Sequence, residues 1–112
     1  MARVTSAVMA SALTRRVNQE GGSAAVLAKG DATSGGLLLL TYERGTNPRF
    51  FERGVGPTGE PALLASGPAA LADEQAVTDY WQRRRARDSD LWVIELDIAQ
   101  AERFAAETMG LH

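Results

Sequence analysis

Three groups of residues in this sequence have the types and spacing for chemistry or recognition. The first is a glycine-bracketed loop, Lys29-Gly30-Asp31 with Gly35-Gly36. Glycines let backbone N–H groups come close to a phosphate or carboxylate, and Lys29 adds charge. The loop lacks the spacing of a Walker loop or a dinucleotide fingerprint, and no helix follows it to present an N-terminus. Its structural reading carries more weight: a hairpin turn using glycine's positive φ and an Asp31 side-chain bond. The second group is Glu95 and Asp97, two apart on an apolar strand and so on one face. Such a pair can divide acid and base work or hold a hard cation. Cross-strand ion pairs with Arg49 or Arg53, and a helix-capping role for Asp97, account for it without chemistry.

The third group is Arg83-Arg84-Arg85 with Arg87, next to Tyr80 and Trp81. Aromatic and arginine side chains together suit a protein interface, which makes Tyr80, Trp81, Arg84 and Arg85 a candidate interaction surface. Nucleic acid is the sharper reading, with Arg15 and Arg16 as helpers and the rings for stacking. Consecutive helical positions point about 100° apart, so the four arginines form no stripe. The formal net charge of -2 also argues against a broad basic surface. Asp79, Asp88 and Asp90 stand close enough in sequence to pair with these arginines. A solvated helix end, placed at the negative end of the helix dipole, is the preferred account.

Other chemistries are closed off by composition. Cysteine is absent, which removes disulfides, thiolate nucleophiles and cysteine-ligated zinc. The only histidine is His112, the last residue, so no histidine base or multi-histidine metal site is available. No residue set identifies a catalytic centre, a cofactor or a metal. The first sixteen residues resemble a signal peptide in Arg3 and an apolar run. Thr5, Ser6 and Ser11 break that run, and Arg15-Arg16 follow on the wrong side. No stretch reaches the roughly 20 apolar residues that cross a bilayer. A cytoplasmic protein without membrane contact is expected.

The elements that must position these groups follow from glycine and proline. Ten of the eleven glycines lie between Gly21 and Gly67, and all four prolines between Pro48 and Pro68. The flanks therefore read as helix and the middle as short strands. Met9, Leu13 and Val17 predict a helix over about Ala7 to Glu20, with Gly21-Gly22 as its stop. Val4 to Met9 has a second reading as a short strand. Ala24 to Ala28 and Leu37 to Tyr42 read as strands, and the eight residues between them suit an antiparallel hairpin. Leu37-Leu38-Leu39-Leu40 does not alternate, as in a strand covered on both faces. Arg49 to Val55 is the next strand, after an Arg44–Pro48 turn, and Ala62 to Ser66 a weak fourth.

Asp73 caps a helix over about Glu74 to Arg87. Leu91 to Asp97 is the strongest strand, with Trp92, Ile94 and Leu96 on one face. Trp92 is the residue most expected to be buried. Asp97 then caps a terminal helix, with Gln100 completing a capping-box-like pair. Its apolar stripe is Ala101, Phe104, Ala105 and Thr108. The 112 residues form a single α+β domain: a largely antiparallel sheet of four to five strands with helices packed on it, in the order α-β-β-β-(β)-α-β-α. The helices are expected on one face. Either the terminal helix or a second copy of the chain, most simply as a two-fold dimer, would then cover the other.

Several runs resemble a bacterial family. They are Ser11-Ala12-Leu13-Thr14-Arg15-Arg16-Val17 with Gly21-Gly22, Ala25-Val26-Leu27-Ala28-Lys29-Gly30-Asp31, Arg44-Gly45-x-Asn47-Pro48-Arg49-x-Phe51-Glu52-Arg53, and Asp88-x-Asp90-Leu91-Trp92-Val93-Ile94-Glu95. Together they resemble domain of unknown function 1491 over nearly the whole chain. The sequence departs from that pattern between Thr58 and Gly67, where a tryptophan-containing strand is expected and Ala62-Leu63-Leu64 stands. The resemblance implies a small bacterial protein and lends no activity, ligand or catalytic residue. By default the expectation is a non-enzymatic binding or protein-interaction module. Two alternatives stand beside it: a small-ligand binder or enzyme using residues 29–36 with carboxylates, and a nucleic-acid accessory protein using the arginine-rich helix.

Overall fold

The fold is described for residues 4–111 in a computed structural model. Helix α1 (Ser6–Gln19) is followed by β1 (Ser23–Ala28), β2 (Leu37–Glu43), β3 (Thr46–Val55) and β4 (Pro61–Ser66). Helix α2 (Glu74–Arg87), β5 (Trp92–Asp97) and α3 (Ala101–Met109) complete the chain. The order is that expected from the sequence, and the segment around Ala62 does form a strand. Val4 to Met9 is no strand. Thr5 caps α1, its hydroxyl accepting from the Val8 N–H at 3.3 Å.

The five strands form one sheet in the order β1-β5-β2-β3-β4. All neighbours are antiparallel except β2 and β5, which run parallel. The expected β1–β2 hairpin is therefore not made. β5 lies between them, and β1 pairs with β5, Ala24 opposite Leu96 and Val26 opposite Ile94. The eight intervening residues cross to α1 instead of turning back between paired strands.

β2 and β5 are central and buried on both sides. Leu38, Leu39 and Leu40 are at most 1% exposed, which is why the leucine run does not alternate. One face carries Leu39, Phe51, Trp92, Ile94 and Leu96 under Ala10, Leu13 and Val17 of α1 and Ala105 of α3. The other carries Leu38, Leu40, Tyr42, Phe50, Leu91 and Val93 under Val77 of α2, with Leu71, Tyr80 and Trp81 around it. The expectation of helices on one face gives way here. The connection from β4 to β5 carries α2 to the second face, so the chain covers both faces itself. Trp92 is buried, as expected.

Three details set the sheet's far end. Arg44 and Gly45, both at positive φ, make the two-residue turn that suits the right-handed twist of a hairpin. Asn47, also at positive φ, takes up the extra residue where the β2–β3 register shifts. The Asp97 carboxylate accepts from the Arg44 and Gly45 N–H groups at 2.8 and 2.9 Å. It is thus a clamp on a turn and not the cap of α3. That helix starts after Gln100, which is left-handed and whose side chain accepts no capping hydrogen bond.

Candidate functional site

The 29–36 loop is built around Asp31. Its carboxylate accepts from the Thr33 and Ser34 N–H groups at 3.2 and 2.8 Å. Those bonds, that from Ser34 first, hold the carboxyl below the ordinary aspartate value. The Asp31 N–H donates to the Asp90 carbonyl at 3.0 Å, and the Trp92 indole N–H donates to the Asp31 carbonyl at 2.8 Å. Positive φ plays no part, since Gly30, Gly35 and Gly36 are all outside that region. Gly30 and Gly35 serve close approach instead. A Cβ on either would stand 2.0 Å from the Asp90 carbonyl oxygen.

The loop also occupies the start of α1. The Ser6 and Ala7 N–H groups donate to the carbonyls of Thr33 and Ala32, at 3.2 and 2.9 Å. The Ser6 hydroxyl donates to the Gly35 carbonyl. With Val8 held by Thr5, the N–H groups of residues 6 to 8 all have partners within the protein. The end of α1 is closed to an anion, although such an end commonly binds one.

Beyond this junction lies a cleft of about 590 Å³ on the α1–α3 side of the sheet. Thr33, Ser34, Gly35 and Gly36 form its loop wall, and Thr5, Ser6 and Met9 its α1 wall. Leu37 and Arg53 rise from the sheet, and Met109 and Leu111 close the far side. The loop residues singled out in the sequence therefore divide. Gly35 and Gly36 line the cleft, while Lys29, Gly30 and Asp31 do not. Arg53, Met109 and Leu111 are not among the site residues the sequence singles out. Arg53 stands in one of the runs that carry the family resemblance, and its alternation with Phe51 could have put it on this face.

Glu95 and Asp97 lie elsewhere. Asp31 sits at the beginning of β5 and Asp97 at its end, about 16 Å away along a strand. Glu95 faces α2, and burial, with Glu74 and Asp97 nearby, raises its carboxyl above the ordinary value. Arg49 and Arg53 are not its partners, because β3 does not neighbour β5 and both project to the α1–α3 side. Arg49 pairs with Glu102 of α3 at 3.0 Å and lies over the Phe51 ring. Near Asp97 a second cleft, about 780 Å³, is lined by Glu20, Glu43, Arg44 and Ile98 among others. Among the described residues, no three His, Cys, Asp or Glu side chains come together to hold a metal.

Tyr80, Trp81, Arg84 and Arg85 are all half-buried on α2. Tyr80 lies against Phe50, ring centroids 4.6 Å apart, and under Gly67. The Arg84 guanidinium donates twice to the Glu52 carboxylate, at 2.7 and 2.8 Å, and once to the Tyr80 hydroxyl. That pair holds Glu52 below and Arg84 above their ordinary values. Arg85 donates to the Ser89 carbonyl. Asp79, Asp88 and Asp90 take no ion pair with the arginines among the described residues. Arg15 and Arg16 belong to α1, across the sheet from the arginines of α2.

A family described as "Protein of unknown function (DUF1491)" matches residues 4–106. A crystal structure of a DUF1491 family protein from Caulobacter crescentus CB15 is 27% identical, with a TM-score of 0.75 over 91% of this chain and 94% of that one. An NMR structure of a DUF1491 family protein from the same organism is 27% identical, TM-score 0.73, covering 93% and 94%. A solution structure of a protein from A. tumefaciens is 25% identical, TM-score 0.70, covering 88% and 89%. Among curated proteins, none matches.

Proposed function

Since the chain belongs to the DUF1491 family, whose description assigns no activity, we propose from geometry that it is a non-enzymatic binding module taking a small molecule in the cleft beside Gly35 and Gly36. One observation carries the reading. The cleft is a concave site of the size small ligands use, walled by four separate elements and mixing apolar side chains with a few polar groups.

The competing surfaces are committed to the fold. Tyr80, Trp81 and Arg84 pack on the sheet, and α2 covers the face for which a second copy of the chain was invoked. The arginines of α1 and α2 stand on opposite sides, which does not suit one nucleic-acid surface. Glu95 and Asp97, the carboxylate pair that would serve an enzyme, are remote from the loop. No helix among the described residues is long and apolar enough to cross a membrane.

Native mass spectrometry of the chain, purified gently from cells that make it, tests the proposal. Extra mass that departs on denaturation, with amide shifts at Gly35 and Gly36 when it is added back, is the expected result. A ligand-free complex with another protein seated on α2 would overturn it.

A further inference from the structure

The chemistry of the cleft lining narrows the ligand, provided the binding reading above holds. Among the described residues that line the cleft, Arg53 is the only charged side chain, and none of the others is acidic. Among the described residues it makes no ion pair. The contrast with Arg49 and Arg84 is instructive: each lies over an aromatic ring and holds a carboxylate, whereas Arg53 is left exposed at the cleft wall. Val4, Met9, Leu37, Met109 and Leu111 give the cleft an apolar side, alongside the hydroxyls of Thr5, Ser6, Thr33 and Ser34. Val4 is 62% exposed, an apolar side chain with little of the protein packed against it. Two of the five are methionines, unbranched and able to fit varied apolar shapes.

From this pairing of one guanidinium with an apolar wall, we propose that the cleft binds an amphipathic monocarboxylate, its carboxylate on Arg53 and its apolar body along Met9, Leu37 and Met109. A guanidinium presents a planar fork that matches a carboxylate in two parallel hydrogen bonds. One cation balances one negative charge. A phosphate monoester, close to two negative charges at neutral pH, would leave charge uncompensated. The hydroxyls of Thr33 and Ser34 at the loop wall can take part without adding charge. A purely apolar ligand would leave Arg53 unused, and a cationic one would be repelled.

The test is an amide NMR titration of the whole chain with three ten-carbon probes: decanoate, decanol and decyltrimethylammonium. Decanoate should shift Ser6, Gly35, Gly36 and Leu111 and bind about tenfold tighter than decanol, the factor that corresponds to a charge-assisted pair. R53Q, an exposed position whose fold the same spectra verify, should bind decanoate no better than decanol. Decanol or the cation binding the wild type as tightly as decanoate would overturn the carboxylate assignment alone. So would undiminished decanoate binding by R53Q. If no probe shifts the cleft amides, the assignment falls together with the binding reading beneath it.

Discussion

The two adjacent glycines at the end of the loop should respond in opposite ways to the same added methyl group. At Gly35 a Cβ would lie 2.0 Å from the Asp90 carbonyl oxygen and 2.9 Å from the Asp31 backbone N and O. None of these atoms belongs to a flexible side chain, so the loop must retreat by about 1.4 Å to reach ordinary contact. That movement pulls at the Asp31 N–H bond to Asp90 and at the Trp92 indole bond to the Asp31 carbonyl. Each such bond is worth about 1 kcal/mol net, and more where a buried donor is left alone. Overpacking adds about 1–3 kcal/mol, and the lower chain entropy of alanine offsets at most about 1. G35A should therefore lose about 3 kcal/mol, and G30A, with the same 2.0 Å approach, a similar amount. At Gly36 the nearest atom is the Leu91 Cδ1 at 3.4 Å, and φ is not positive. G36A should be neutral or up to about 1 kcal/mol more stable. Urea unfolding followed by circular dichroism measures all three. G35A and G36A falling within about 0.5 kcal/mol of each other would refute the close-approach account.

Three further perturbations have signs fixed by the structure. Asp73 accepts from the Ala76 N–H at 2.8 Å, so D73A should cost about 1 kcal/mol in urea unfolding as α2 loses its cap. Arg84 holds the Glu52 carboxyl below the ordinary value, so the pair stabilises fully above the unfolded glutamate pKa and is lost as pH falls through the folded one. E52Q should thus be about 1–2 kcal/mol weaker at neutral pH, with the deficit shrinking towards acid in a melting series against pH. Glu95 runs the other way. Its raised carboxyl means the folded state holds its proton more tightly, so folding weakens as pH rises from the unfolded value through the folded one. E95Q should melt higher than wild type at neutral pH, and the gain should vanish below the unfolded glutamate range.

How far the sequence reached depended on whether a signal was local. α2 was legible to its ends because Asp73, the acidic first turn and the arginine-rich last turn all lie within the helix or next to it. The leucine run announced a strand buried on both faces, and Trp92 a buried ring, since each is a property of one segment. The β1–β2 hairpin failed because strand choice is decided by a segment more than fifty residues later in the chain. β5 brings Val93, Ile94 and Leu96, all fully buried between its two partners, whereas Val26 of β1 stays 38% exposed at the sheet edge. Once β5 is inserted, the loop need not turn tightly and is free to bind the start of α1. The same insertion moves Asp97 to the β2–β3 turn, where two N–H groups await it, and leaves α3 without the cap its sequence advertised. The candidate site follows this logic. Gly35 and Gly36 were visible as a motif, but Arg53, Met109 and Leu111 come from two other elements and meet only because the loop is pinned to Asp90 and α3 packs beside α1. The cleft is a consequence of where β5 goes, and no single stretch of residues encodes it.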